Sequence, residues 1–413
     1  MNYNTIISER QDRGEVITPK SLVEEMIDKL PKEVFESETT TFLDPCFGTG
    51  SFLMAIGIRL KKYGHSTENI NSRLFGFEVD SRMFNETKRK FRSISIIKQD
   101  FLNADINMKF DVIIGNPPFQ GSQMGGGKGS GNAIWQKFVE KAYENLKDNG
   151  YMSLIHPTDW RTSLNKKKIA KASNILFENQ IDYLELSAEP FKGQAVAIVD
   201  WYVLRKQPKA LKTLVKSKDG LSKINIESNK MLFSYNSKMF NSITKSVFNT
   251  EHNGFMNRMS FGGLTKLDQN MPTGEYTFAH GGKFFSEGKI KTFNYPHVDQ
   301  FKKKVIMSAV GKFRPMYDES TGIGDHVHYI LVNSKKQADF LISIINSRLG
   351  MFLQKTHCTS DWKGDYAFSN VWYPFSRILL DDVNLKSDKD VYSYFNLTEE
   401  QIKYIESEVE PVK

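Results

Sequence analysis

Asn116-Pro117-Pro118-Phe119 sets a side-chain amide beside two prolines and an aromatic ring. It follows Phe110-Asp111-Val112-Ile113-Ile114-Gly115, an apolar run that reads as a buried strand of a parallel sheet. Open α/β sheets hold their chemistry beyond the carboxyl ends of the strands, where this Asn would fall. Two prolines forbid both helix and ladder pairing, so the turn is stiff. It offers a fixed amide, fixed main-chain carbonyls and an aromatic face. That set suits a planar amine: acceptors meet the NH2 hydrogens while the ring stacks on the heterocycle. The plainer reading is a Pro-rich turn whose Asn caps something local.

The residues upstream favour the chemical reading. Asp44-Pro45-Cys46-Phe47-Gly48-Thr49-Gly50 closes a short apolar strand with a glycine turn. A helix is predicted from Ser51, with Phe52, Leu53, Ala55, Ile56 and Leu60 on one side. A strand, glycine turn and helix let a ligand approach the backbone and point free N–H groups at it. The spacing is not the G-x-G-x-x-G of dinucleotide sites. A second strand, Leu74 to Asp80, ends in carboxylates, and an acid there such as Glu78 could take both hydroxyls of a ribose. A third, Ile94 to Lys98, runs into Asp100-Phe101, where a carboxylate could accept from an adenine amine while Phe101 lies on the ring.

These side chains need a sheet to hold them. Thr18-Pro19 opens a helix, with Leu22, Met26 and Leu30 at helical spacing. Strands and helices then alternate to residue 205: a helix Ile134–Leu146, a strand Tyr151–Ile155, a basic helix Leu164–Phe177, and strands Ile181–Leu186 and Ala195–Leu204. The alternation predicts an α/β fold, a mostly parallel sheet with helices on both faces, over residues 1–205. Residues 206–413 form the expected second, mixed α/β domain. Within it 206–230 reads as a linker, Ala338–Leu353 as one amphipathic helix, and 381–413 as an acidic tail.

Taken together the motifs resemble the amino-methyltransferases that use S-adenosylmethionine, and in particular the N6-adenine DNA methyltransferases of the gamma class, which includes the TaqI-like enzymes. Gly14-Glu15-Val16-Ile17-Thr18-Pro19 is similar to the N-terminal motif that closes over the methionine end of the cofactor. Asp44, Pro45, Gly48 and Gly50 match the main cofactor loop, Glu78 the ribose position, Asp100 and Phe101 the adenine position, and Asn116 to Phe119 the catalytic tetrapeptide. The resemblance spans about residues 10 to 205. It implies a Rossmann-like methyltransferase sheet followed by a target-recognition domain. It also implies methyl transfer to N6 of an adenine flipped out of double-stranded DNA. Asn116 Oδ1 and the Pro117 carbonyl would accept the two amine hydrogens, and no metal is required. Phe119 would stack on one face of the base. Phe191 sits where relatives carry a second aromatic, although a core Phe before an edge strand reads equally well. The glycine-rich loop Gln120–Asn132 would close on DNA with Lys128 on a phosphate, or serve only as a connector; Trp160 and Arg161 would line the same groove. The family is bacterial or phage-encoded and works in the cytoplasm, in some systems beside a separate restriction endonuclease.

Composition agrees with this outline. Residues 1–205 carry 27 basic and 26 acidic side chains, whereas residues 206–380 carry 25 and 13. A basic region beside a neutral one is the footprint of a polyanion binder, against the alternative of solvated lysine faces. Two cysteines, Cys46 and Cys358, are too few for a disulfide framework, and Cys46 is expected as a small packed residue. Met1 to Arg13 is polar and no apolar run reaches membrane-spanning length, so neither signal peptide nor membrane partner is expected. His280, His297, His326 and His328 lack the Cys or carboxylate spacing of a metal site. Arg258, Arg314 and Arg348 are candidate base contacts by residue type alone. Glu287-Gly288-Lys289 with Asp268 is too short a match to support a nuclease. Two other readings stay open: an RNA or protein amino-methyltransferase, and an inactive DNA-binding subunit of a methylase complex.

Overall fold

The structure is a computed structural model. It describes residues 17–91, 93–119, 133–161, 170–191, 198–227, 232–248, 274–279, 288, 290–308, 315–324, 327–362, 365–368 and 374–410. The chain divides into two compact units, Met1–Leu232 and Phe233–Lys413. Among the described residues no helix is long and apolar enough to cross a membrane.

Among its described residues the first unit holds nine strands: β1 (Phe42–Asp44), β2 (Leu74–Phe77), β3 (Ser95–Ile97), β4 (Phe110–Gly115), β5 (Leu146–Pro157), β6 (Asn179–Ala188), β7 (Val199–Pro208), β8 (Thr213–Ser217) and β9 (Gly220–Ile224). Their order is β3-β2-β1-β4-β5-β7-β6-β8-β9. The first five run parallel, and β7 inserts antiparallel between β5 and β6. Chain order reverses between β1 and β4, and at such a switch point the loops diverge and leave a crevice. The helices are α1 (Lys20–Asp28), α2 (Glu33–Glu36), α3 (Ser51–Lys62), α4 (Thr67–Arg73), α5 (Ser81–Lys90), α6 (Trp135–Glu144) and α7 (Ala170–Glu178). Phe42, Val112 and Ile114 pack with α1 and α3, whereas Leu43, Phe110 and Ile113 pack with α6 and α7. Both faces are thus covered, and β1 and β4 read as continuous apolar runs rather than alternating ones.

The expected α/β architecture is present, with corrections at its edges. β7 continues to Pro208, and β8 and β9 form a hairpin whose first strand pairs parallel with β6. Residues 206–224 are therefore sheet rather than linker, and the unit boundary falls at Leu232 rather than at residue 205. The half-exposed pattern of an edge hairpin looks polar in sequence and passes for a connection. Helix α6 ends at Glu144, and β5 begins at Leu146, earlier than expected.

The second unit holds three small sheets and a helical core. Strands β10 (Tyr276–Ala279), β11 (Ile290–Phe293) and β14 (Gly322–Ile323) form one sheet; β12 (Lys304–Ser308), β13 (Met316–Asp318) and β15 (Val327–Leu331) form the second. A hairpin joins β16 (Cys358–Trp362) to β17 (Asp365–Phe368). Helices α8 (Lys238–Val247), α9 (Lys335–Asn346), α10 (Arg348–His357), α11 (Asp388–Tyr394) and α12 (Glu399–Glu408) share one core with Val305, Met307 and Ile330. The single helix expected over 338–353 is two. Ser347 breaks it: its Oγ donates to Ile344 O at 2.7 Å and accepts from Gly350 N at 3.1 Å, which caps α10. Residues 388–408 of the expected acidic tail are helices α11 and α12, and Val391, Tyr392 and Ile405 are core residues. Arg348 Nη1 pairs with Glu406 Oε1 at 2.9 Å, which engages a side chain expected as a base contact. Arg258, Arg314, His280, His326 and the segment 281–287 with Asp268 and Lys289 lie outside the described residues.

Candidate active site

The carboxyl ends of β1, β2 and β4 bring the 44–50 loop, Glu78 and the 116–119 tetrapeptide to one end of the sheet. Gly48 (φ 53°) and Gly50 (φ 81°) take left-handed backbone conformations, which non-glycine residues adopt only with strain. Gly50 N donates to Phe47 O at 2.7 Å and closes the turn. The first turn of α3 follows with no side-chain cap on its leading N–H groups among the described residues, and uncapped N–H groups at a helix start can serve a ligand. Glu78 braces the turn: Oε2 accepts from Gly48 N at 2.9 Å and Oε1 from Asp80 N at 2.8 Å. A carboxylate has about four lone-pair sites, so two stay open for ligand hydroxyls.

Asp44 is 1% exposed, and its Oδ1 accepts from Cys46 N at 3.0 Å. Burial pushes its pKa up to about 8; the Cys46 N–H opposes this and the charge of Glu78 adds to it. Gly115 makes room for it. A Cβ on that residue would lie 2.6 Å from Asp44 Oδ1, well inside contact distance. Burial raises the Cys46 thiol well above its ordinary value, and the charges of Glu78, Asp44 and Asp100 raise it further. Cys46 is therefore a packed thiol in an acidic environment. Asp100 caps the turn at Phe101–Asn103, with Oδ1 accepting from Leu102 N at 3.0 Å.

Asn116 follows Gly115 directly. Its Nδ2 donates to Thr18 Oγ1 at 3.1 Å. Its Oδ1 is buried and has no hydrogen-bond partner among the described residues. An unsatisfied buried acceptor costs about 1–3 kcal/mol, and such a group invites a donor from a ligand. Pro117 is buried, Pro118 exposed and Phe119 half-buried against the sheet core. Phe119 O accepts from Ile134 N at 3.0 Å, so the chain returns beside the tetrapeptide after the 120–132 segment. Lys128 lies within that segment, outside the described residues, as do Gly14 to Val16 of the N-terminal motif.

Four expected contacts are buried side chains packed in the unit's interior. Phe101 is 1% exposed and stacks on Phe138 with centroids 6.0 Å apart. Phe191 is likewise core, packed with Tyr183, Val199 and Trp201. Trp160 Nε1 and Arg161 Nε donate to Asp200 Oδ2 at 2.8 and 2.9 Å. Arg161 also donates to Leu232 O and Ser187 Oγ, and both Trp160 and Arg161 are fully buried. They line no groove. Asp200 was legible only as an acid within the apolar run Ala195–Leu204, and the Thr18–Asn116 contact had no local signal.

Comparison with known proteins agrees with this geometry. Residues 27–186 match the Eco57I restriction-modification methylase family. The Type II methyltransferase M.VspI of Vibrio sp. (strain 343) is 28% identical over 224 residues, covering 50% of this chain and 51% of that protein. The Type II methyltransferase M.CvrRI of Paramecium bursaria Chlorella virus XZ-6E is 27% identical over 208 residues, covering 48% and 50%. The chain thus spans about half the length of these curated relatives. Among solved structures, a nuclease-deletion mutant of the Type ISP restriction-modification enzyme LlaGI, in complex with a DNA substrate mimic, is similar in fold. Its TM-score is 0.52 at 10% identity over 81% of this chain and 44% of that one. The match to the Eco57I restriction-modification methylase family spans the stretch that holds the 44–50 loop, Glu78 and the Asn116–Phe119 tetrapeptide.

Proposed function

We propose that the protein transfers the methyl group of S-adenosylmethionine to N6 of adenine in double-stranded DNA. The carrying observation is Asn116 Oδ1, buried and without a partner among the described residues where β4 ends. The acidic crevice supports the choice of methyl donor. Asp44, Glu78 and Asp100 suit a ligand carrying a sulfonium and an ammonium, and would repel the phosphates of a dinucleotide. When bound, S-adenosylmethionine supplies an activated methyl on a good leaving group. The protein's part is then binding and alignment. Glu78 holds the ribose hydroxyls, and Asp44 the methionine ammonium. Asn116 Oδ1 and the Pro117 carbonyl accept the two amine hydrogens and so draw the nitrogen lone pair out of the ring. Phe119 offers a half-buried face to the base.

The basic excess of residues 206–380 favours a nucleic acid over a protein substrate. The name of a further relative, an uncharacterized adenine-specific methylase of Mycoplasma pneumoniae that is 32% identical over 137 residues, favours adenine. The base must leave the duplex to reach the crevice, at roughly a few kcal/mol. The deciding experiment is transfer of labelled methyl to unmethylated genomic DNA, with Asn116→Ala beside wild type and N6-methyladenine sequencing of the product. Transfer by wild type alone, at one short motif, is the expected result. Transfer to RNA or protein in its place, or cofactor binding without turnover, would overturn the reading.

A further inference from the structure

The bond between Thr18 and Asn116 carries a step beyond this reading, and rests on it. An Asn side chain has two ends of nearly equal size, C=O and NH2, so packing alone does not choose which faces a substrate; its hydrogen-bond partners do. Here Nδ2 donates to Thr18 Oγ1 at 3.1 Å while Oδ1 is left buried and unpartnered. The reversed amide would bury two N–H donors where the observed one leaves a single oxygen. It would also set NH2 against the NH2 of an incoming base.

We propose that Thr18 is a positioning residue: its hydroxyl anchors the Asn116 amide, while the smaller cost of burying one oxygen than two N–H donors keeps that oxygen turned toward the target amine. Thr18 is well placed to hold the amide. Pro19 fixes the next backbone angle, and its carbonyl accepts from Leu22 N at 3.0 Å and Val23 N at 3.1 Å. Helix α1 then buries Leu22, Val23, Met26 and Ile27 in the sheet core. A helix entry 98 residues distant in sequence thus anchors the amide. Correct folding of the N-terminal segment becomes a condition for the chemical step, separate from its contact with the cofactor.

The test compares Thr18→Val, which keeps the shape without the acceptor, with Thr18→Ser, which keeps the acceptor. Thr18→Val should lower kcat about tenfold, about 1.4 kcal/mol of barrier. Cofactor Kd and the DNA KM should be unchanged, Tm should fall modestly because Asn116 Nδ2 loses its acceptor, and Thr18→Ser should recover most of both losses. In 15N-labelled protein, the side-chain amide signal of Asn116, identified by its absence in Asn116→Ala, should exchange faster with solvent in Thr18→Val. A weaker cofactor Kd with kcat intact would overturn the proposal, because the hydroxyl would then serve the cofactor. So would equal behaviour of the Val and Ser variants, or an unmoved Asn116 signal. If wild type methylates no DNA, the proposed function fails, yet the amide signal still decides whether Thr18 holds Asn116.

Discussion

Two buried polar clusters sit on the sheet of the first unit, and they differ in what they leave unsatisfied. Around Asp200 both carboxylate oxygens are engaged: Oδ2 takes Trp160 and Arg161, and Oδ1 takes Ser187 N at 2.8 Å. Arg161 also finds Leu232 O at 2.8 Å and Ser187 Oγ at 2.7 Å. At the ends of β1 and β4, Asn116 Oδ1 has no partner among the described residues and Asp44 is pushed up to about 8 by burial. The first cluster ties β6, β7 and the 158–161 turn together; its polar groups are architecture. The second holds polar groups in states that cost stability. Such costs persist where a ligand repays them.

The largest effect that separates the clusters is on stability. Asp200→Ala leaves the Arg161 guanidinium buried without its counter-charge, and breaking a buried pair costs about 3–5 kcal/mol. Urea unfolding should show that loss, while methyl transfer per folded molecule is retained. A stable variant with lost turnover would move the Asp200 cluster into the chemistry and erase the contrast. Asn116→Ala should do the reverse. Transfer should fall about 10²–10³-fold, the scale seen when one group is removed from a preorganised polar site. Stability should hold, because the lost side chain includes an unsatisfied buried acceptor. An Asn116→Ala protein that unfolds early would make Asn116 a structural residue instead.

The same contrast explains what the sequence could and could not convey. Asn116, Glu78, Asp44 and the glycine turn are legible because each ends or follows a strand, and strand ends in an open parallel sheet fix location from local pattern alone. Phe101, Phe191, Trp160 and Arg161 stand near motifs but point elsewhere. The side a residue faces at a strand end depends on the element packed against it, as Phe138 of α6 packs on Phe101. The β8–β9 hairpin passes for a linker because Thr213 and Val215 are buried while the residue between them is partly exposed. The break at Ser347 hides in a helix-compatible pattern because the cap is one hydroxyl.

Smaller effects should sharpen the picture on the ligand side. Gly115→Ala would place Cβ 2.6 Å from Asp44 Oδ1. Asp44 must then shift, and cofactor affinity should fall about tenfold, about 1.4 kcal/mol, with a modest drop in Tm. Equal affinity by calorimetry would detach Asp44 from the cofactor. The smallest change is in pH dependence. With its pKa raised to about 8, Asp44 is protonated in the free protein at neutral pH, so binding an ammonium beside it releases a proton. Affinity should therefore climb as pH rises toward about 8, by up to about tenfold per unit, and level off above, where an α-ammonium also starts to lose its proton. Stability runs the other way. The folded state binds more protons than the unfolded one between the ordinary carboxyl value of 3.8 and about 8, so the Asp44 contribution weakens as pH rises through that window. Buried His156 and His357, held neutral down to about 4 and about 3, lose their contribution as pH falls below 6.5. Because these oppose one another in any unfolding curve, cofactor titration is the cleaner readout, and Asp44→Asn should flatten its pH dependence. A profile that keeps its slope in Asp44→Asn would assign the released proton to another group.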